Sequence, residues 1–206
     1  MIKAVLFDFD GVLTLDESGS LSTCKYMSSA TGINTDIFWN EYRKYNPSLQ
    51  KGELKHEEIW DKICKAIGCS IDIKVLYDSF INTPINFEML RLVQELKGKN
   101  FKIGMVTDNK ADRMDLIINH HNWHDVFDGI AISAKIGSNK KEEKIFLSIF
   151  DTLSVNPKEC IFIDNSAENL VVPQNLGVTT IFFEDKKNDV HHLRKVLYGL
   201  GLDISI

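Results

Sequence analysis

The sequence lacks several features that mark specialised classes of protein. No stretch approaches the roughly 18 consecutive apolar residues that a membrane-spanning helix needs, so no membrane association is expected. The 24 basic residues are outnumbered by 29 acidic ones, and the net charge of -5 argues against a dedicated nucleic-acid partner. Asp8 interrupts the first apolar run too early for a secretory signal peptide, which predicts a cytoplasmic protein.

Cysteine is also sparse, with four in 206 residues. Cys64 and Cys69 are too far apart for a redox CxxC motif, and no second Cys/His pair completes a zinc site. Reduced thiols are therefore expected. The length and the 44% share of hydrophobic residues predict one globular domain, or one domain with a smaller insert.

Apolar runs and amphipathic segments alternate along most of the chain. The runs are continuous, which is typical of strands buried on both faces of a parallel sheet, and apolar spacings of three and four predict helices between them. This alternation predicts an α/β fold with a doubly wound, mainly parallel sheet. The predicted strands span 3–7, 101–106, 129–132, 160–163 and 178–183, and the predicted helices span 87–97, 144–153 and 189–200.

The segment 15–84 breaks the alternation, because it has helical patterns and no convincing strand. The first helix is expected to start near Thr35 and to stop at Asn46-Pro47, the second to cover 53–67, and the third to lie near Ile73 and Phe80. We predict an inserted α-helical cap at residues 15–84. The core would then comprise residues 1–14 and 85–206, with hinges after Thr14 and at Pro84.

Aromatic residues are concentrated in this predicted cap. Phe38, Trp39, Tyr42, Tyr45 and Trp60 are expected to form its core rather than a surface for stacking substrates. A cap that closes over a site must also supply substrate contacts. The candidates for such contacts are Arg43, Lys44 and Tyr45.

Polar residues follow three predicted strands at their carboxyl ends, where open α/β sheets bind ligands. Carboxylates gathered there need a compensating cation, and their hard oxygen atoms suit Mg²⁺ together with a substrate phosphate. Gly11 tolerates the turn that would let Asp8 and Asp10 converge, so that one acid attacks and the other moves protons. The residues at these strand ends are Asp8, Asp10, Thr107, Asp108, Asn109, Asp164, Asn165 and Ser166.

Four segments resemble the motifs of the haloacid dehalogenase (HAD) superfamily, in the family's order. The resemblance lies in DFDGV at 8–12, TDN at 107–109, GSNK at 137–140 and CIFIDNSAEN at 160–169. The helical insert resembles the cap of the subgroup that holds sugar-phosphate phosphatases, β-phosphoglucomutases, haloacid dehalogenases and the phosphatase domain of epoxide hydrolases. The resemblance implies a Rossmann-like core.

The resemblance further implies a Mg²⁺-dependent phosphatase. It would hydrolyse a small phosphate monoester, a sugar phosphate or a nucleotide, through an aspartyl-phosphate. Asp8 would attack phosphorus, and Asp10 would protonate the leaving alcohol and then activate water. Lys140 would neutralise the phosphate and Asp8 together. The implied catalytic residues are Asp8, Asp10, Thr107 and Lys140, and the implied phosphate-binding residues are Phe9, Thr107, Asp108, Asn109 and Lys140.

The implied magnesium ligands are Asp8, the backbone carbonyl of Asp10, Asp164 and Asn165. Asn165 departs from the family pattern, which has an acid there, and one charge is worth up to ~4 kcal/mol at ~4 Å and an effective dielectric near 20. We therefore expect weakened metal binding, with Asp164 and Asn165 holding the ion together. Lys141 is a second departure, since the family has proline after the lysine. Lys140 keeps the family spacing and is preferred as the motif lysine, with Lys141 as the alternative.

Two alternatives stay open at the level of the sequence. A phosphomutase would use the same aspartyl-phosphate and return the phosphoryl group to another hydroxyl. A HAD-like binding or regulatory module would have lost turnover, as Asn165 suggests. The expected partner is a small phosphorylated metabolite, and the chain would be a monomer or a homodimer.

Overall fold

The computed structural model describes all residues 1–206, and its centre is a sheet of five parallel strands in the order β3-β2-β1-β4-β5. The first strand is central, because Ala4 pairs with Lys102 on one side and with Cys160 on the other. The strands are β1 (Ala4–Phe7), β2 (Lys102–Thr107), β3 (Gly129–Ile132), β4 (Cys160–Asp164) and β5 (Thr179–Phe182).

Helices cover both faces of this sheet. Val5 and Phe7 face a core shared with α6 (Phe87–Gly98), α7 (Ala111–His120) and α11 (Val190–Gly199). Ala4 and Leu6 face the opposite core, which contains α9 (Glu143–Leu153). Strands buried on both faces explain the continuous apolar runs. The predicted doubly wound α/β fold is therefore confirmed.

Sequence patterns locate the long core elements to within a residue or two. Each predicted strand agrees with an observed one to within one residue at either end, and the predicted helices 87–97, 144–153 and 189–200 correspond to α6, α9 and α11. The short helix α8 (Ser133–Ile136) was not predicted, because a single turn carries no measurable apolar period. The other short helix, α10 (Val171–Asn175), coincides with a helical stretch around Pro173.

Five α-helices lie in the segment 15–84, as the absence of strand patterns there predicts. One expectation is wrong: the helix from Thr35 ends at Tyr42, and Pro47 lies in the first turn of a new helix, where its missing N–H is not needed. The second predicted helix begins at His56 rather than at residue 53. The helices are α1 (Gly19–Thr31), α2 (Thr35–Tyr42), α3 (Asn46–Lys51), α4 (His56–Ile67) and α5 (Ile73–Ile81).

Phe38, Tyr42 and Trp60 are buried together among these helices, and the rings of Phe38 and Tyr42 stack at 5.5 Å. They form a core as expected. The chain enters and leaves the segment 15–84 side by side, because Thr14 and Ile85 form an antiparallel bridge. The division into a core and a separate cap at residues 15–84 stays a prediction. None of the helices combines the length and apolarity that crossing a bilayer requires.

Candidate active site

The first strand ends in a wide turn that presents two aspartates to one cavity. Asp8 follows β1, its Oδ1 accepts a 2.7 Å hydrogen bond from the N–H of Phe9, and Asp10 lies two residues on. Gly11 has a φ of 80°, and a Cβ there would lie 2.2 Å from Nδ2 of Asn165. Glycine is thus required both for the turn and for the approach of the Asn165 amide.

A buried lysine joins the ends of two strands. Nζ of Lys140 lies 2.8 Å from Oδ1 of Asp8 and 2.7 Å from Oδ2 of Asp164. Burial opposes the charge of Lys140, but the two carboxylates raise its pKa. Burial and the nearby Asp164 raise the pKa of Asp8 well above its usual range, although Lys140 counteracts them. Two buried carboxylates therefore share one ammonium.

The end of β2 supplies the second wall of the site. Oδ1 of Asp108 accepts a 3.0 Å hydrogen bond from the backbone N–H of Lys140. Nδ2 of Asn109 donates to Oγ1 of Thr107 at 3.3 Å and to Oδ2 of Asp10 at 2.8 Å. These contacts bring the segments containing residues 8–10, 107–109 and 140 into one neighbourhood.

Arg113 is a site residue that sequence reasoning missed. Its guanidinium donates to both oxygens of Asp10, at 2.9 and 3.0 Å, and the side chain is fully buried. Nη2 also donates to Oγ1 of Thr83, and a Cβ on Gly19 would lie 2.2 Å from Nη1. The available signal was its position four residues after Asn109, since side chains of a first helical turn point back toward the preceding strand end.

The cavity at these strand ends has a volume of about 190 Å³ and no hydrophobic residue in its lining. Phe9 and Asp164 lie behind its wall, whereas the other predicted site residues line it. Lys141 pairs with Glu168 at the exposed surface. Arg43, Lys44 and Tyr45 do not line the cavity, so the expectation that one of them reaches the site is wrong in this structure. The lining residues are Asp8, Asp10, Glu17, Ser18, Gly19, Ser20, Gln50, Thr107, Asp108, Asn109, Lys110, Lys140, Asn165, Ser166 and Asn169.

The donor atoms of the site fit a hard divalent cation. Oxygen donors come from Asp8, from Asp164 behind the wall, and from the amide of Asn165, while Arg113 and Asn109 engage the side chain of Asp10. The structure holds no cluster of three or more His, Cys, Asp or Glu side chains arranged to bind a metal. The excess negative charge on Asp8 and Asp164 nonetheless favours an ion such as Mg²⁺, which prefers few carboxylates, water and phosphate.

A profile of the hydrolase family described as haloacid dehalogenase-like hydrolase matches residues 2–177. The chain belongs to this family. The resemblance of its four motifs to those of HAD proteins is thereby confirmed.

Relatives of this HAD-like hydrolase include two named enzymes. Bifunctional epoxide hydrolase 2 of Rattus norvegicus is 25% identical over 221 residues, which cover 95% of this chain and 39% of the relative. The chain thus spans less than half of that protein. Glyceraldehyde 3-phosphate phosphatase of Methanopyrus kandleri is 26% identical, with 88% of this chain and 83% of the relative covered.

Solved structures share the fold. A HAD family enzyme of Bacteroides thetaiotaomicron has a TM-score of 0.73 at 21% identity, with 93% of this chain and 98% of that chain covered. A magnesium complex of that enzyme has a TM-score of 0.69 at 22% identity, with 94% and 98% covered. At this level of identity the likeness shows the fold alone.

Proposed function

We propose that this HAD-like hydrolase is a Mg²⁺-dependent phosphatase that hydrolyses small phosphate monoesters, with residues 15–84 as its cap. The observation that carries the proposal is the buried cluster in which Lys140 lies between Asp8 and Asp164. A carboxylate beside an ammonium at the end of a parallel strand is suited to attack a bound phosphoryl group. The phosphatase name of the Methanopyrus kandleri relative supports this class of substrate.

In the first proposed step, a carboxylate oxygen of Asp8 forms a bond to phosphorus while the bond from phosphorus to the leaving alcohol breaks. Asp10 supplies the proton that the leaving oxygen needs. Phe9 N–H and Lys140 hold Oδ1 of Asp8, which fixes the direction of attack. Thr107 and the backbone N–H groups near Asp108 would bind the phosphoryl oxygens.

In the second proposed step, water attacks phosphorus and the bond to Asp8 breaks. Asp10 takes the proton from that water, so Asp8 is regenerated and inorganic phosphate leaves. Asp8, the carbonyl of Asp10, Asp164 and Asn165 would hold Mg²⁺. The ion would supply the positive charge that keeps Asp8 ionised and that neutralises the phosphate.

The small polar cavity favours hydrophilic substrates such as sugar phosphates or nucleotides. With about 190 Å³ and no apolar lining, it offers little to a long hydrocarbon chain. A cap that excludes bulk water strengthens the electrostatic contacts inside.

The first prediction concerns hydrolysis of p-nitrophenyl phosphate. We expect magnesium-dependent turnover that falls by at least about a thousandfold in Asp8→Asn, because the amide cannot form the acyl-phosphate. The absorbance of released p-nitrophenol measures the rate. Removal of metal ions with EDTA, followed by addition of magnesium, tests whether the rate depends on magnesium.

Equal rates for the wild type and Asp8→Asn would point to contamination and to a module without turnover. Release of free phosphate from a sugar phosphate supports the hydrolase. Conversion of that sugar phosphate to its isomer without phosphate release would instead identify a phosphomutase.

A further inference from the structure

The cavity contains a buried lysine that no step of the proposed reaction uses. Lys110 directly precedes α7, and its side chain is only 2% exposed. Its Nζ donates a 2.9 Å hydrogen bond to Oγ of Ser20 and lies 5.4 Å from the centre of the Tyr42 ring. Ser20 is held in turn by hydrogen bonds with Asn46. These contacts fix the ammonium at the cavity wall.

No carboxylate forms a direct ion pair with this ammonium, whose one hydrogen bond goes to Ser20. The carboxylates that act on it through space have other partners, since Asp10 binds Arg113 and Asp112 binds His56. Burial and the charge of Arg113 lower the pKa of Lys110 to about 8. An ammonium has three donors, and here only one meets a hydrogen-bond acceptor. A buried cation without an anion is costly, and an anionic ligand would remove that cost.

The shape and chemistry of the cavity place the missing anion on the substrate. Lys110 and the nucleophile Asp8 line the same space of about 190 Å³, so one small molecule can contact both. Lys140 already serves the transferred phosphate. We propose that Lys110 binds a second anionic group, a carboxylate or a phosphate, on the alcohol part of the substrate; this inference rests on the proposed phosphatase function.

The preferred substrate is therefore a small phosphate ester with a second negative charge. The neutral hydroxyl of an otherwise similar ester would leave Lys110 without its counter-ion. A charge-assisted hydrogen bond to a buried ammonium corresponds to a preference of about tenfold or more. Ser20 and Gln50 also line this cavity.

The test compares phosphoglycerate with glycerol phosphate, which carries a hydroxymethyl group in place of the carboxylate. We expect kcat/KM of the wild type to be at least about tenfold higher for phosphoglycerate. Propanediol bisphosphate distinguishes a second phosphate from a carboxylate. In Lys110→Met the ratio should fall to about one. Lys62→Met makes the same change at an exposed position of α4 and should keep the wild-type ratio.

Binding is measured separately from turnover. Calorimetry with Asp8→Asn protein, in magnesium buffer, should give at least about tenfold tighter binding of phosphoglycerate or of the bisphosphate than of glycerol phosphate. The double variant Asp8→Asn/Lys110→Met should lose that difference. If Lys110→Met does not fold, the affinities of Asp8→Asn protein for the anionic esters and for glycerol phosphate decide whether the site prefers a second anionic group.

Equal affinity for the neutral and anionic esters would overturn the proposal. A preference that persists in Lys110→Met would do the same, and so would a uniform loss for all esters, because it would show that Lys110 only supports the packing of Tyr42. Absence of Asp8-dependent hydrolysis would reject the phosphatase function instead, while the binding measurement would still test Lys110.

Discussion

Arg113 is the largest fully buried side chain of the protein, and it pairs with the residue proposed as the acid and base of the reaction. Nη1 and Nη2 of its guanidinium donate to the two oxygens of Asp10, and its Cζ lies 5.3 Å from the centre of the Phe9 ring. A planar bidentate partner fixes the orientation of a carboxylate, which a lysine could not do. The role of Arg113 is therefore one of positioning.

Removal of this guanidinium should be costly. We predict that Arg113→Met lowers the free energy of unfolding by about 3 kcal/mol or more, because it leaves the carboxylate of Asp10 without its partner. Urea denaturation measures the change. The double variant Arg113→Met/Asp10→Asn should regain part of the loss. A double variant no more stable than Arg113→Met would contradict the role of the ion pair.

Arg113→Met should also affect substrates unequally. Alkyl phosphates need a proton for their leaving oxygen, whereas p-nitrophenolate leaves without one. We therefore expect kcat/KM to fall at least about tenfold more for glycerol phosphate than for p-nitrophenyl phosphate, as general acid catalysis is worth about 10²–10⁴-fold. Steady-state kinetics with both esters measures this ratio. An equal fall in kcat/KM for the two esters would show that Arg113 has only a structural role.

At the scale of elements, a hydrogen-bonded chain joins the helices of the predicted cap to α7. The hydroxyl of Tyr42 in α2 lies 2.7 Å from Nε2 of His56 in α4, and Nδ1 of His56 lies 2.7 Å from Oδ2 of Asp112 in α7. Burial lowers the pKa of His56 from its ordinary value of 6.5, and Lys110 and Arg113 lower it further, although Asp112 counteracts them. His56 is accordingly neutral at neutral pH.

This histidine should make stability depend on pH. Because its folded pKa is lowered, the unfolded chain binds the proton more readily, so the stabilisation is complete above about pH 6.5 and is lost as the pH falls toward the folded pKa. We predict that the free energy of unfolding falls more in the wild type than in His56→Gln between pH 7 and pH 5. Urea denaturation across that range measures the difference. If the stability of both proteins fell equally with pH, His56 would not be the source of the pH dependence.

The sequence predicts an element when a continuous pattern extends over several residues. The five strands and α9 were found because their buried faces are apolar throughout. Helix α1 was missed because half of its buried residues, Ser20, Ser22 and Thr23, are small and polar. Pro47 was taken as a stop signal, although proline is equally compatible with a first turn.

The site, too, contains residues that the sequence predicts and residues that it does not. Asp8, Asp10 and Asp164 were predicted to meet because parallel strands end at one edge. Arg113 and Lys110 were not predicted, since basic residues at the start of a helix usually face solvent and only tertiary contacts reveal their burial. The roles of all these residues stay predictions until the variants are measured.

At the scale of the whole molecule, one ligand would contact segments from distant parts of the chain. Asp8, Gln50, Thr107, Lys140 and Asn165 line a single cavity. Binding there stabilises only a chain in which these segments have already met, so ligand affinity and the free energy of unfolding are linked.

Phosphate and magnesium together should therefore raise the melting temperature. At a free phosphate concentration about 100 times Kd the stabilisation is about 2.7 kcal/mol, which corresponds to roughly 5–10 °C for a chain of this size. Differential scanning calorimetry measures the shift, and Lys140→Met should reduce it. A wild-type melting temperature that does not move at saturating phosphate would argue against a phosphate site.

The central position of β1 also has a consequence for biosynthesis. Its neighbours β2 and β4 begin at Lys102 and Cys160, so a ribosome releases the first strand long before either pairing partner exists. Until Asp164 has emerged, β1 can pair on one side only, and Asp8 lacks the carboxylate with which it shares Lys140. We therefore expect nascent chains that stop short of β4 to lack the proposed activity, and their apolar first strand to be a segment that chaperones shield.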